Sequence, residues 1–153
     1  MTLACILTIS LNAQSKKDVK INRIKTALIT ITENDKTINE KKTTYDKSGE
    51  VIEETDYDKS GVVKVTHKYK YNEDGDEIEE EEWNPANKLL EIKATQYNSL
   101  GEKIEEVFHD ATGKLIKTNK YTYDAKGLRV EKATTDAAGK TISVKKITYT
   151  FCK

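Results

Sequence analysis

The sequence predicts an all-β fold: an antiparallel up-and-down β-meander of about ten strands, largely a single-layer or curled sheet, built from 26-residue two-strand repeats. Three observations carry this. An acidic or amide residue recurs at Asp46, Asp58, Asn72, Asn84, Asn98, Asp110, Asp124 and Asp136, with gaps alternating between 12 and 14. Three positions after it stands Gly49, Gly61, Gly75, Gly101, Gly113, Gly127 or Gly139, with Asn87 once in that place. Between these turns lie eight to ten residues, the length of one strand and too few for a crossover helix. Neighbouring strands must therefore run antiparallel.

The turn chemistry has a physical cause. A tight turn calls for positive φ at one position, which Gly and Asn tolerate. An Asp or Asn at its start accepts hydrogen bonds from the backbone N–H groups that follow.

Taken in order, residues 1–14 read as a signal peptide, a short apolar run with a small-residue exit at Leu11-Asn12-Ala13-Gln14. That exit resembles export signals of the Bacteroidota type. The run is shorter than the roughly 20 apolar residues of a membrane-spanning helix, so no transmembrane segment is expected. Cleavage after Gln14 would remove Cys5 and leave Cys152 without an internal disulfide partner. Residues 15–153 then form a single β-meander domain, with regular repeats over 46–149. Lys20 to Thr32 is rich in β-branched residues and reads as a strand, Glu33-Asn34-Asp35-Lys36 as a turn, and Thr37 to Tyr45 as the next strand. Four blocks follow in phase, Asp46–Tyr71, Asn72–Tyr97, Asn98–Tyr123 and Asp124–Tyr149, each ending in tyrosine. The sole proline, Pro85, falls inside the Asn84 turn.

With four-residue loops, Tyr71 would face Asp76 and Trp83 would face Lys88. Tyr69 would then lie opposite Ile78, Thr95 opposite Ile104 and Tyr121 opposite Val130. Lys70 would meet Glu77, Lys68 would meet Glu79 and Lys93 would meet Glu106. The same register gathers Tyr69, Tyr71, Ile78, Leu89, Tyr97, Ile104, Phe108, Leu115, Tyr121, Tyr123, Val130 and Tyr149 on one face, and Leu90, Ile92, Val107, Ile116, Ile142 and Val144 on the other. Each face has an apolar stripe set among charges. A sandwich or closed barrel would have one apolar and one wet face, so the stripes must be covered by curling, by the N-terminal strands or by another copy of the chain.

Tyr121-Thr122-Tyr123-Asp124-Ala125-Lys126-Gly127, and more loosely Tyr69-Lys70-Tyr71-Asn72-Glu73-Asp74-Gly75, resembles the YD repeat of Rhs-type proteins. The resemblance implies a β-sheet ribbon and an extracellular setting, since in that family such repeats curl into large shells that sometimes enclose a toxin. Encapsulation is not carried over, because 153 residues are far too few to close a shell.

Composition excludes some functions. Net charge is zero, so a globally basic nucleic-acid binder is not expected. Hydrophobic residues are 36% and charged residues 34%, which makes for a thin core. No catalytic constellation occurs: His67 and His109 lack metal-ligand company, although His67 falls near Glu80 across strands. No cofactor fingerprint is present. Asp74 and Asp76 in the Asn72–Glu77 turn are a weak calcium candidate, outweighed by the reading of a solvated acidic turn. Charge is polar along the chain, with eight acids between Glu73 and Glu82 and ten bases from Lys114 to Lys153.

The candidate binding residues are Tyr69, Tyr71, Trp83, Tyr97, Tyr121 and Tyr123, large amphipathic rings in array. Their structural alternative is packing of the sheet itself. The expected function is an exported, non-enzymatic protein binding or scaffolding at the cell envelope, its partner a protein or glycan. The other reading is an immunity- or inhibitor-type partner of a toxin.

Overall fold

The computed structural model describes residues 15–152. The signal-peptide reading of residues 1–14, with Cys5, lies outside the described residues. Helix α1 (Lys16–Asn22) precedes ten strands: β1 (Thr26–Glu33), β2 (Lys36–Tyr45), β3 (Val51–Tyr57), β4 (Val63–Tyr71), β5 (Glu77–Trp83), β6 (Leu89–Tyr97), β7 (Lys103–Asp110), β8 (Leu115–Tyr123), β9 (Arg129–Asp136) and β10 (Thr141–Lys146). They form one sheet in sequence order, every pair antiparallel, with β1 and β10 as its edges. The meander is as the turns predict, and it is not closed into a barrel.

The repeated turns share one set of bonds. In the first, Asp46 N–H donates to Glu50 O at 2.9 Å and Gly49 N–H donates to Asp46 O at 3.2 Å. The Asp46 carboxylate accepts from the N–H groups of Ser48 and Glu50 at 2.8 and 2.9 Å. Asp110 repeats this with Thr112 and Lys114; the Thr112 hydroxyl and then the two backbone N–H groups hold its carboxyl below the usual range. The turn glycines have φ between +74° and +89°, and Asn87 in the same place has φ +57°.

The strand register departs from the expected one. The turn closes around five residues, so Tyr71 stands opposite Glu77 and Trp83 opposite Leu89, not Asp76 and Lys88. A β-bulge follows at once, leaving Ile78 unpaired between Glu77 and Glu79. Ile52, Leu90, Ile104, Ile116, Val130 and Ile142 are the equivalent extra residues in other hairpins.

Beyond the bulge, Tyr69 therefore pairs with Glu80, Thr95 with Glu106 and Tyr121 with Lys132, in place of the expected isoleucines and valine. Lys70 pairs with Glu79, Lys68 with Glu81 and Lys93 with Phe108. One extra loop residue plus one bulged residue shift the register by two, so most residues keep their expected face. Leu89 and Leu115 lie between bulge and turn, where only one of the two shifts applies. Their partners Trp83 and His109 put them on the opposite face from Tyr69.

The tyrosines that end alternate strands close the ladder at this rim. The β5–β6 ladder stops at Glu79 opposite Ala94. Beyond that pair the Tyr97 hydroxyl donates to the Glu77 carbonyl at 2.9 Å. Tyr71 does the same to Val51, Tyr123 to Lys103 and Tyr149 to Arg129, each at 2.8 Å. A side chain thus satisfies a backbone carbonyl that the frayed strand pair leaves over.

The N-terminal part differs from expectation. Lys20 to Asn22 belongs to α1, and the strand begins at Thr26. The Ser15 hydroxyl accepts from Asp18 N–H at 3.2 Å, an N-cap that favours helix over extended chain. Arg23 ends the helix in the left-handed region at φ +52°. The helix lies against the first regular turn: Lys16 pairs with Glu50, and Val19 is 1% exposed.

Val19, Tyr45, Phe108 and Tyr121 are the buried hydrophobic residues among those described. Thr43, Thr55, Thr95, Glu106 and Asn119 are buried polar ones. A single layer has no second sheet to pack on, so side chains bury one another along the sheet surface, polar groups included.

Candidate functional site

Strands β4 to β9 project one set of side chains onto a common face, because directly opposed residues of an antiparallel ladder share a side. Tyr69, Glu80, Lys93, Phe108, Lys117 and Asp136 form one row across it. Thr95, Glu106, Asn119 and Thr134 form the next. Between them lies a groove of about 350 Å³, with Glu80, Glu82 and Glu91 toward one side and Lys117 and Lys132 toward the other.

The floor of the groove is a polar network centred on Glu106, beside the buried Thr95 hydroxyl, which has no partner among the described residues. Glu106 accepts from Lys103 Nζ at 2.8 Å, Asn119 Nδ2 at 2.9 Å and Tyr121 Oη at 2.5 Å. Asn119 Oδ1 in turn accepts from the Thr134 hydroxyl at 2.8 Å. Burial pushes the Glu106 carboxyl up, but these donors outweigh it and hold it down at about 2. Burial and then the Glu106 charge raise the Tyr121 hydroxyl. Lys93 sits between Glu80 and Glu77, the latter at 2.9 Å. Burial pulls Lys93 down, yet bonds to the two carboxylates lift it to about 12. His67 Nδ1 comes within 3.0 Å of Glu80 Oε1, but out of line with the ring, so no hydrogen bond forms. The expected proximity is present without the geometry of a catalytic pair.

The walls carry charges that the network does not use. Lys117 Nζ lies 4.2 Å from the Phe108 ring centre, and Arg129 and Lys132 lie 4.6 and 5.5 Å from that of Tyr121. Among the described residues none of these three cations has a carboxylate within 4.0 Å. Glu82 and Glu91 stand opposite one another, likewise with no cation that close.

The structure brings Tyr69, Tyr71, Tyr97, Tyr121 and Tyr123 to this face and puts Trp83 on the other, where Lys68 covers its ring at 4.3 Å and Glu81 accepts its N–H. The tyrosine hydroxyls are already engaged. Tyr69 donates to Glu54 at 3.3 Å, Tyr121 to Glu106, and Tyr71, Tyr97 and Tyr123 to backbone carbonyls. Burial and the carboxylates of Glu77 and Glu50 raise Tyr71 to about 12. As a set these hydroxyls bond within the sheet itself. Asp76 accepts from the Asn72 side-chain amide at 3.2 Å within its own turn. Among the described residues no three acidic, His or Cys side chains converge on a metal position.

Sequence reasoning passed over Lys117, Lys132, Arg129, Glu82 and Glu91. The signal for them was the charge polarity of the chain, and the missing step was the observed pairing, which leaves these charges without an ion-pair partner among the described residues.

No protein-family model matches the chain, and no curated protein matches it. Among solved structures it is similar to a porin-like protein from Bacteroides uniformis, 15% identical, with 81% of this chain and 50% of that one covered and a TM-score of 0.46. The chain thus spans about half the length of that protein. It is also similar to a protein of unknown function from Bacteroides fragilis, 14% identical over 83% of this chain and 96% of that one, TM-score 0.43. Similarity to S. aureus TarM is 16% identity over 82% of this chain and 22% of that one, TM-score 0.31.

Proposed function

We propose that this chain is an exported, non-enzymatic β-repeat protein that binds or scaffolds at the cell envelope or outside the cell, holding a protein or glycan on its groove face. The observation that carries the reading is the set of uncommitted charges there. Most of the face pairs its charges internally, whereas Lys117, Arg129 and Lys132 on one side and Glu82 and Glu91 on the other do not. Fixed, unneutralised charge beside a groove steers and orients a ligand of complementary pattern. The leader-like residues 1–14 support export.

The test is a screen of the immobilised chain against glycan and envelope-protein arrays, run beside Lys117→Glu with Lys132→Glu. Binding that weakens in salt and disappears in a variant with an unchanged melting temperature supports the reading. Silence of the wild type, or binding indifferent to both substitutions, sinks it. Recovery of the chain only from cytoplasm would remove the export part.

A further inference from the structure

We propose that β1 is a docking edge for a second copy of this chain, pairing antiparallel with the partner's own β1 about a two-fold axis to join two ten-stranded sheets. The inference is independent of the groove and its ligand. β1 pairs with β2 on one side, and on the other no strand among the described residues meets it. An open edge presents a row of backbone donors and acceptors, and proteins ordinarily blunt it with lysine, proline or a bulge.

The two edges of this sheet are treated differently. At the far edge β10 carries Lys145 and Lys146, with Lys140 just before it. At the near edge Thr26 to Thr32 reads Thr-Ala-Leu-Ile-Thr-Ile-Thr, with no charge, proline or glycine, in a chain of which 34% is charged. Leu28 is 53% exposed on it. The composition favours strand pairing, and the irregularity of the β1–β2 ladder at Ile29/Thr30 puts its extra residue, Glu40, on β2 and not on the edge strand.

The same strand names its occupant. Antiparallel pairing centred on Ile29 brings Lys25 of each copy beside the partner's Glu33, an opposite-charge contact at both ends. Neither residue has an ion-pair partner among the described residues. Parallel pairing would set like charges together. Joining β1 to a neighbour's β10 would place lysines along the seam and, being head-to-tail, would continue into a fibre, whereas the two-fold arrangement closes at two copies. The seam is one strand long, far below the area of a permanent interface, so association is expected to be reversible and concentration-dependent.

Sedimentation equilibrium of the full chain tests this. The mass is expected to rise with concentration from one chain to a plateau at two. Ile29→Lys with Ile31→Lys should raise the dissociation constant about tenfold or more, while Val144→Lys on the far edge leaves it unchanged. Should the double variant fail to fold, amide exchange of wild-type residues 26–32 replaces it, and protection must increase as the dimer forms. One-chain mass at every concentration overturns the proposal, including the case in which exchange shows β1 covered by the chain's own first 14 residues. Growth past two copies overturns it as well.

Discussion

The Tyr97 hydroxyl donates to the backbone carbonyl of Glu77, 20 residues earlier on the neighbouring strand, at 2.9 Å. Because the β5–β6 ladder has ended two residues before Glu77, the phenol does there what a strand partner does elsewhere. The same link recurs at Tyr71, Tyr123 and Tyr149. Tyr97→Phe should keep the ring in place and remove the bond, costing about 0.5–1.5 kcal/mol. Tyr71→Phe and Tyr123→Phe should cost similar amounts, and their two losses should add, since those two sites share no partner, whereas each is linked to Tyr97 through Glu77 or Lys103. Denaturant melts of the single and double variants measure this. A Tyr97→Phe protein as stable as wild type would mean the hydroxyl only happens to lie near the carbonyl.

Two turn glycines with similar backbones should differ in their tolerance of alanine. Gly101 has φ +74° and open space where a Cβ would stand, so Gly101→Ala should cost only the left-handed conformation, about 1–2 kcal/mol. At Gly49, φ +89°, a Cβ would sit 2.6 Å from the Lys16 carbonyl of α1. Gly49→Ala must therefore displace the helix as well and should be clearly the costlier of the two. Asn87→Gly, at the same turn position, should be close to neutral. Thermal melts rank the three, and equal losses at Gly49 and Gly101 would contradict the packing of α1.

Acid should probe the Glu106 network. Its carboxyl titrates at about 2 in the folded protein against 4.5 for the free group, so unfolding takes up a proton in acid. The stability from this group is complete above about 4.5 and is lost as pH falls toward 2. Glu106→Gln should lower stability at neutral pH, where Lys103, Asn119 and Tyr121 lose their charged acceptor. It should also flatten the stability profile across that acid window. Melting temperature against pH for both proteins is the measurement, and parallel profiles would exclude the network as a source of stability.

Val19→Ala should loosen the helix without unfolding the sheet. Two buried methyl groups are lost, about 1.6 kcal/mol of burial, at a residue 1% exposed that fastens α1 near Tyr45. Amide exchange should quicken across residues 16–24 and stay unchanged from β4 to β9. Uniform acceleration along the chain would instead make α1 part of the cooperative unit.

The turns, strand lengths and strand order were legible because each depends on a local cause. Asp110 reaches its own turn's N–H groups, and Gly113 takes a φ that few residues accept. The bulges were not legible, since a period of 26 counts residues without saying which is unpaired; Ile78 looks like any strand isoleucine until it faces nothing. Helix α1 hid because Ile21 and Ile24 blend into the apolar run of β1, although Ser15 and Asp18 already carry the cap. In the candidate site the tyrosine row was visible, but Tyr71, Tyr97 and Tyr123 donate to backbone carbonyls that no side-chain pattern marks. The uncommitted lysines needed the true register: Lys117 meets Phe108 only when β7 and β8 slide to the observed pairing.

Among the described residues, each strand makes its substantial contacts with its neighbours in sequence. Mechanically such a sheet behaves as a zipper. Tension applied across its two edges should peel hairpins off one at a time at modest, nearly equal forces, and excision or duplication of a 26-residue block should leave the remaining strands able to pair. Reach is then set by repeat number alone, so the chain can be lengthened or shortened in steps of about 10 Å, two strand spacings, while its surface chemistry is rewritten block by block.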